Sequence, residues 1–244
     1  MSKIVERTLD FLELFADKRR PLSLSEIARL LDLPVSSCRD VLLALEERGY
    51  IYEIAARSGY YPTLKMMDVV TVIAEYDPVV LRAESVLQKL RDTVDESVLL
   101  AKTGRRGGTY LFYLGPSHPL RFTVKVGEKV RHLYASSGGK ALLSSLDKPD
   151  LEAFFSSTEL LALTPNTITT KEALLADLEV GRRRKWFANM EESQPGLITL
   201  SAPFKWAGAT YIATIAGPVA RLQDRVDWAA EQLVTACEAL EAPR

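Results

Sequence analysis

The sequence predicts two domains: an N-terminal all-α winged helix-turn-helix, and behind it an α+β domain with an antiparallel sheet. Three observations carry this. Three amphipathic helical stretches crowd into residues 3–48 with a four-residue turn between the second and third. Two short β-prone runs follow at once, the place a wing occupies. From about residue 97, strand-like runs give way to helices, then to strands again and a closing helix, the block order of an α+β domain.

Each element has its reason. Residues 3–16 set Ile4, Val5, Thr8, Leu9, Phe11, Leu12 and Phe15 at helical spacing, and DKRRP ends that helix. SLSEIARLLDL opens on a capping box, in which Ser23 accepts from the amide of Glu26 and the Glu26 carboxylate reaches back. Leu31-Asp32-Leu33-Pro34 forms the turn into VSSCRDVLLALEER, whose inner stripe is Cys38, Val41, Leu42 and Leu45, with Gly49 as the left-handed stop. YIYEI and GYYPTL, joined by AARS, read as a hairpin. The third helix leaves Val35, Ser36, Ser37, Arg39 and Asp40 on its first exposed turn. These short side chains, with one donor and one acceptor, suit base edges and phosphates, although any small three-helix domain also has a polar outer face.

Asp77-Pro78 starts a further helix with Val79, Val80, Ala83, Val86, Leu87 and Leu90 on one side, a stripe able to pack on either domain or on a second subunit. The expected division is residues 1–66 for the first domain, 67–96 for linker helices and 97–244 for the second domain. In the latter, SVLLAKT, TYLFYLG and LRFTVKV are strand-like. SGGKALLSSL, DLEAFFSS and KEALLADLEVGRRR are helical, the last with a capping box from Thr169 to Glu172. WFANMEES, LITLSAPF and ATYIATIAG return to strand, and residues 222–240 close the chain as a helix. ASSGGK opens a helix after a loop; free amides there favour an anion, so Ser137 and Gly138 form a candidate carboxylate cradle. An ordinary capped helix start has the same appearance, and the glycine spacing of a Walker phosphate loop is missing.

Composition narrows the function classes. The 244 residues are 47% hydrophobic and 26% charged, with no apolar run near the roughly 20 residues of a membrane span. The opening MSKIVERTLDFLELF is unlike a signal peptide, so a cytoplasmic protein is expected. Cys38 and Cys237 each occupy an apolar helical position, which points to buried thiols. With His118 and His132 as the only histidines, a metal centre or catalytic triad is hard to build, and neither a cofactor nor enzyme activity is expected. Residues 1–75 hold ten Lys or Arg against twelve Asp or Glu, so non-specific attraction to nucleic acid is expected to be weak. Local cations are Lys18, Arg19 and Arg20, with Arg57 at the wing tip; amides near Ser23 and Ser36 can also grip phosphate. GRRRKW at 181–186 reads as a solvated helix end, with a second nucleic-acid contact as the rarer possibility.

Taken together, RPLSLSEIARLLDLPVSSCRDVLLALEERGYI, HLYASSGGKALLSSL, LTPNTIT, EESQPGLITLSAPF and IAGPVARL resemble the IclR family of bacterial regulators, in the family's order and over nearly the whole chain. The resemblance implies a winged helix-turn-helix joined to a GAF-like effector domain. It further implies a homodimer or dimer of dimers on double-stranded operator DNA, with affinity altered by a small metabolite such as an organic acid. Pro34, Ser36 and Ser37 match the family's recognition-helix pattern, but Asp40 stands where arginine is usual and Arg39 lies one place earlier, about 100° around the helix. Either Asp40 accepts from a cytosine amino group and Val35 touches a thymine methyl, or Asp40 pairs locally. The resemblance carries the remaining pocket positions onto Asn189, Thr199, Thr214 and Ala216. It also marks departures, since aspartate is frequent at Asn189, cysteine at Thr199, serine at Thr214 and Ala216, and histidine at Tyr134. Two other readings stay open: a small-molecule binding protein, or an enzyme, whose helix-turn-helix is vestigial.

Overall fold

The computed structural model describes residues 3–55, 58–104 and 107–242. The chain divides into two units, Met1–Asp77 and Pro78–Arg244, so the division falls inside the stretch expected as linker.

The first unit runs α1 (Lys3–Lys18), α2 (Leu24–Leu30), α3 (Val35–Glu47), β1 (Ile51–Glu53), β2 (Tyr60–Pro62) and α4 (Lys65–Glu75). Phe11, Phe15, Leu22, Ile27, Cys38, Leu42 and Ile51 make its core. β1 and β2 pair antiparallel, Tyr52 opposite Tyr61. Leu22 and Tyr60 exchange backbone hydrogen bonds of 3.1 and 2.9 Å, which ties the entry to α2 to the hairpin. Gly59 permits that approach: at φ 122° a Cβ there would lie 3.1 Å from the Leu22 carbonyl carbon. Gly49 ends α3 at φ 72°, as its sequence position requires.

The second unit runs α5 (Pro78–Val94), β3 (Ser97–Gly104), β4 (Gly107–Leu114), α6 (Ser137–Ser144), α7 (Lys148–Ser157), α8 (Lys171–Arg184), β5 (Phe187–Met190), β6 (Leu197–Trp206), β7 (Ala209–Pro218), the short α9 (Val219–Leu222) and α10 (Val226–Glu241). The sheet has the order β4-β3-β7-β6-β5, and every pair in it is antiparallel. Strand alternation sends Val98, Leu100, Leu200, Ala213 and Ile215 into a core shared with Ala83, Leu87 and Leu90 of α5 and Ala230, Leu233 and Cys237 of α10. The opposite face carries the site described below. Cys38 and Cys237 are free and buried, one in each unit.

The structure narrows or corrects several expectations. Of the partners open to the stripe of the Pro78 helix, the second domain is the one it takes, with Ala83, Leu87, Leu90 and Val94 in that core. LRFTVKV is not a strand: the backbone contact with the edge strand β4 comes just after it, at residues 127–130. Tyr110 N–H donates to Glu128 O (2.9 Å), Gly127 N–H to Tyr110 O (2.8 Å) and Val130 N–H to Gly108 O (2.9 Å). The cap of α8 is Thr170, which accepts from Ala173 N–H, rather than Thr169 with Glu172. The closing helix is interrupted by a 3₁₀ turn at Gln223–Arg225. Among the described residues no helix is long and apolar enough to cross a membrane.

Candidate nucleic-acid and ligand sites

α3 begins after Pro34, and no side chain caps it, so its first-turn amides are open to a phosphate. The winding of the helix splits the five candidates into two sides. Val35 and Arg39, four residues apart, look toward the start of α2 and the hairpin, across a surface groove of about 340 Å³ shared with Ser23, Ser25, Glu53 and Tyr60. Ser37 and Asp40 border a larger, apolar groove of about 660 Å³ on the α1 side, with Ile4, Leu12, Ala44 and Met66. Ser36 is exposed on the same turn. Arg39 and Asp40 are both exposed, and among the described residues neither holds a hydrogen bond or ion pair, so the local pairing of Asp40 is not formed. Adjacent positions on a helix do not face each other.

The α2 capping box is complete. Glu26 N–H donates to Ser23 Oγ (3.3 Å), while Ser23 N–H donates to Glu26 Oε2 (3.0 Å). Arg20 adds a 2.9 Å ion pair to the same carboxylate. The Ser23 amide, then Arg20 and the Ser23 hydroxyl, pull the Glu26 carboxyl down to about 2. Ser23 and Arg20 are thus engaged in fixing the start of α2, and Lys18 sits 2.8 Å from Asp17. Arg57 lies outside the described residues.

In the second unit the sheet face turned away from α5 and α10 presents two cross-strand rows. The first runs Asn189, Thr199, Ala216, Ser97; the second runs Phe187, Ser201, Thr214, Leu99. The N-terminus of α6 stands over these rows, capped by Ser136, whose Oγ accepts from Gly139 N–H. Between them and the 122–132 segment lies a cavity of about 470 Å³. Ser137, Gly138, Asn189, Thr199 and Thr214 all border it; Ala216, fully buried opposite Thr199, does not. The Ser137 hydroxyl turns down into the sheet, 2.6 Å from Thr199 Oγ1 and 2.7 Å from Ser201 Oγ, and Ser201 lies 2.7 Å from Thr214 Oγ1. An anion at this helix start would therefore meet the backbone of α6 rather than the Ser137 side chain.

Asn189 holds its own turn: Oδ1 accepts from the amides of Glu192 (2.7 Å) and Ser193 (3.2 Å), and Nδ2 donates to Ser193 Oγ (2.9 Å). That turn is pinned from two sides. Thr167 Oγ1 donates to Glu192 O at 2.6 Å, which explains the threonines of LTPNTIT. Lys140, one turn along α6 and only 1% exposed, reaches Glu192 Oε1 (2.6 Å), Asp177 Oδ2 (2.8 Å) and Ala188 O (3.0 Å). Burial nevertheless pushes the Glu192 carboxyl above its ordinary range, and among the described residues its second oxygen has no partner. Lys140 thereby fastens α6, one wall of the cavity, to the Asn189 turn, another.

Pattern reasoning passed over Tyr110, Arg131 and His132, which line the cavity, and Ser201 and Lys140 beneath it. Ser201 was detectable, since strand alternation in LITLSAPF puts it on the face of Thr199. The lining role of Tyr110 and Arg131 depends on how the 122–132 segment crosses β4, for which the sequence has no periodic signal.

Comparison with known proteins gives a consistent result. The family profile described as "IclR helix-turn-helix domain" matches residues 4–55, and "Bacterial transcriptional regulator IclR C-terminal" matches residues 71–242. The chain is 28% identical over 219 residues to the probable transcriptional regulator SauR of Cupriavidus necator, covering 88% of this chain and 86% of that protein. It is 26% identical over 225 residues to the transcriptional repressor AllR of Escherichia coli K12, covering 91% and 83%. In fold it matches the crystal structure of Thermotoga maritima IclR (TM-score 0.79, 21% identity, 99% and 98% covered). It also matches an IclR homologue from Microbacterium hydrocarbonoxydans complexed with 4-hydroxybenzoate (TM-score 0.78, 21% identity, 98% of each chain).

Proposed function

The chain belongs to the IclR family of bacterial transcriptional regulators, and from that premise we propose that it is a cytoplasmic, non-enzymatic regulator that binds operator DNA as a dimer, or a dimer of dimers, and changes affinity when a small organic acid enters the cavity beside α6. The observation that carries this reading is the state of α3. Its first turn is uncapped and exposed, with Val35 and Arg39 beside the hairpin and Ser36 open to solvent. Polar groups without partners at a helix start are what a major groove and its phosphates satisfy.

Assembly follows from α4. It buries none of its residues, and Met67, Val70, Val72 and Ile73 are more than half exposed. Ile4, Val5 and Leu9 of α1 are open to a similar degree. Apolar faces of this extent mark interaction surfaces, and a second copy of the chain is the partner that gives two recognition helices to a palindromic site. The 4-hydroxybenzoate complex of the Microbacterium homologue supports the effector half of the reading. For a ligand to act, it must bind the operator-competent and incompetent arrangements unequally.

Sedimentation of the protein with duplex DNA from upstream of its own gene, at several salt concentrations, tests the proposal. A dimer or tetramer with sequence-dependent binding and a shallow salt slope is expected, given the acidic first unit. A monomer that binds all duplexes alike overturns it.

A further inference from the structure

Thr199, Ser137, Ser201 and Thr214 form an unbranched chain of four hydroxyls joined by three contacts of 2.6, 2.7 and 2.7 Å, in each of which either oxygen can donate. Every hydroxyl has one hydrogen to give. Three contacts use three hydrogens, so one is left over. If it belonged to Ser137 or Ser201, both fully buried, it would be stranded away from any acceptor. The surplus hydrogen therefore sits at an end of the chain, on Thr199 or Thr214, and both ends open into the cavity. When one end donates outward, the other offers only a lone pair. The chain thus presents to a ligand one donor and one acceptor, and can swap which end is which.

A chemical group that satisfies both ends must itself both donate and accept. A carboxylate or a keto oxygen only accepts, and an ammonium only donates; an aliphatic hydroxyl does both. The open amides of α6 stand next to the chain: a Cβ on Gly138 would lie 3.7 Å from Ser201 Oγ and 3.8 Å from Thr214 Oγ1. A carboxylate on those amides would have the hydroxyl chain within reach of its second carbon. We infer that this cavity selects 2-hydroxy carboxylates over the matching 2-oxo and 2-deoxy acids, with the 2-hydroxyl closing the chain between Thr199 and Thr214. The inference rests on the reading of the cavity as the effector site.

Calorimetric titration of the full-length protein against two matched sets tests it: lactate, pyruvate and propionate, then mandelate, benzoylformate and phenylacetate. The hydroxy member of at least one set is expected to bind about tenfold more tightly than both counterparts, the effect of one well-made hydrogen bond. Thr199→Val and Thr214→Val, both compatible with strand, are expected to erase that preference, so that the three members of each set bind within about twofold of one another. If acids bind without hydroxy preference, or if both variants keep it, the inference is overturned while the effector site stands. If Gly138→Leu leaves binding of every acid unchanged, or no acid of either set binds, the cavity reading falls with it.

Discussion

The two units handle polar side chains in opposite ways. On α3 of the first unit, Arg39 and Asp40 face outward without side-chain partners among the described residues. Under the cavity of the second, the hydroxyls of Ser137, Thr199, Ser201 and Thr214 satisfy one another, and Lys140 is held by two carboxylates and a carbonyl. The first arrangement waits for a partner that brings its own hydrogen-bonding groups; the second is arranged in advance, so a small ligand meets fixed geometry. The difference teaches that a surface meant for a long polyanion can leave its groups loose, whereas a pocket for a small molecule has to fix them beforehand.

The sharpest way to break this contrast is at the buried cation. Lys140→Met should destabilise the second unit by about 3–5 kcal/mol, because it strips the buried Glu192 carboxyl of its cation, and that carboxyl must then stand unpaired or take up a proton. Denaturant unfolding followed at the second unit would show it, and a loss below 1 kcal/mol would mean that water reaches the pair. Arg39→Ala makes the reverse case. It should leave the melting temperature unchanged and weaken operator binding by about 10- to 100-fold, the scale of a lost base contact; unaltered affinity in fluorescence anisotropy removes Arg39 from the interface.

Asn189→Asp sharpens the pocket side. Its Oδ1 already accepts two amide hydrogens, so a carboxylate can keep the turn while placing a negative charge in the cavity lining. Binding of an acid should fall about tenfold or more, and equal affinities by calorimetry would show that the ligand's charge lies elsewhere. The smallest effect belongs to Ser23→Ala, about 1 kcal/mol of stability for a lost helix cap. Its signature is in the pH profile. Glu26 is held down at about 2, so its contribution is present above the ordinary carboxylate range and is lost as pH falls through about 2. The variant should show less of that acid loss.

How much of this was readable in the chain follows the same division. The first unit is written in helical period, capping and turn chemistry, so α1, the α2 capping box, the Gly49 stop and the outward position of Ser36 and Arg39 all followed from local rules. The ligand cavity depends on which strands lie side by side. Thr199 and Thr214 reached the candidate set through family likeness, whereas Ser201 shares the face of Thr199 by alternation, but its place between Thr199 and Thr214 depends on strand pairing that linear order does not show. Ala216 shows the converse, a position carried over by likeness that this structure buries beneath the cavity. LRFTVKV failed for another reason: its alternation is genuine, but the backbone bonds to the β4 edge are made by residues 127–130 that follow it.

The two free cysteines have a practical consequence. Burial raises both thiols above their ordinary value, so neither is available as a thiolate while its own core stays closed. Cys38 lies in the first core and Cys237 in the second, and the sequence holds no others. A thiol-reactive label followed by peptide mass spectrometry therefore clocks the opening of each unit separately within one unmodified chain, and adding DNA or an acid shows which clock each one slows.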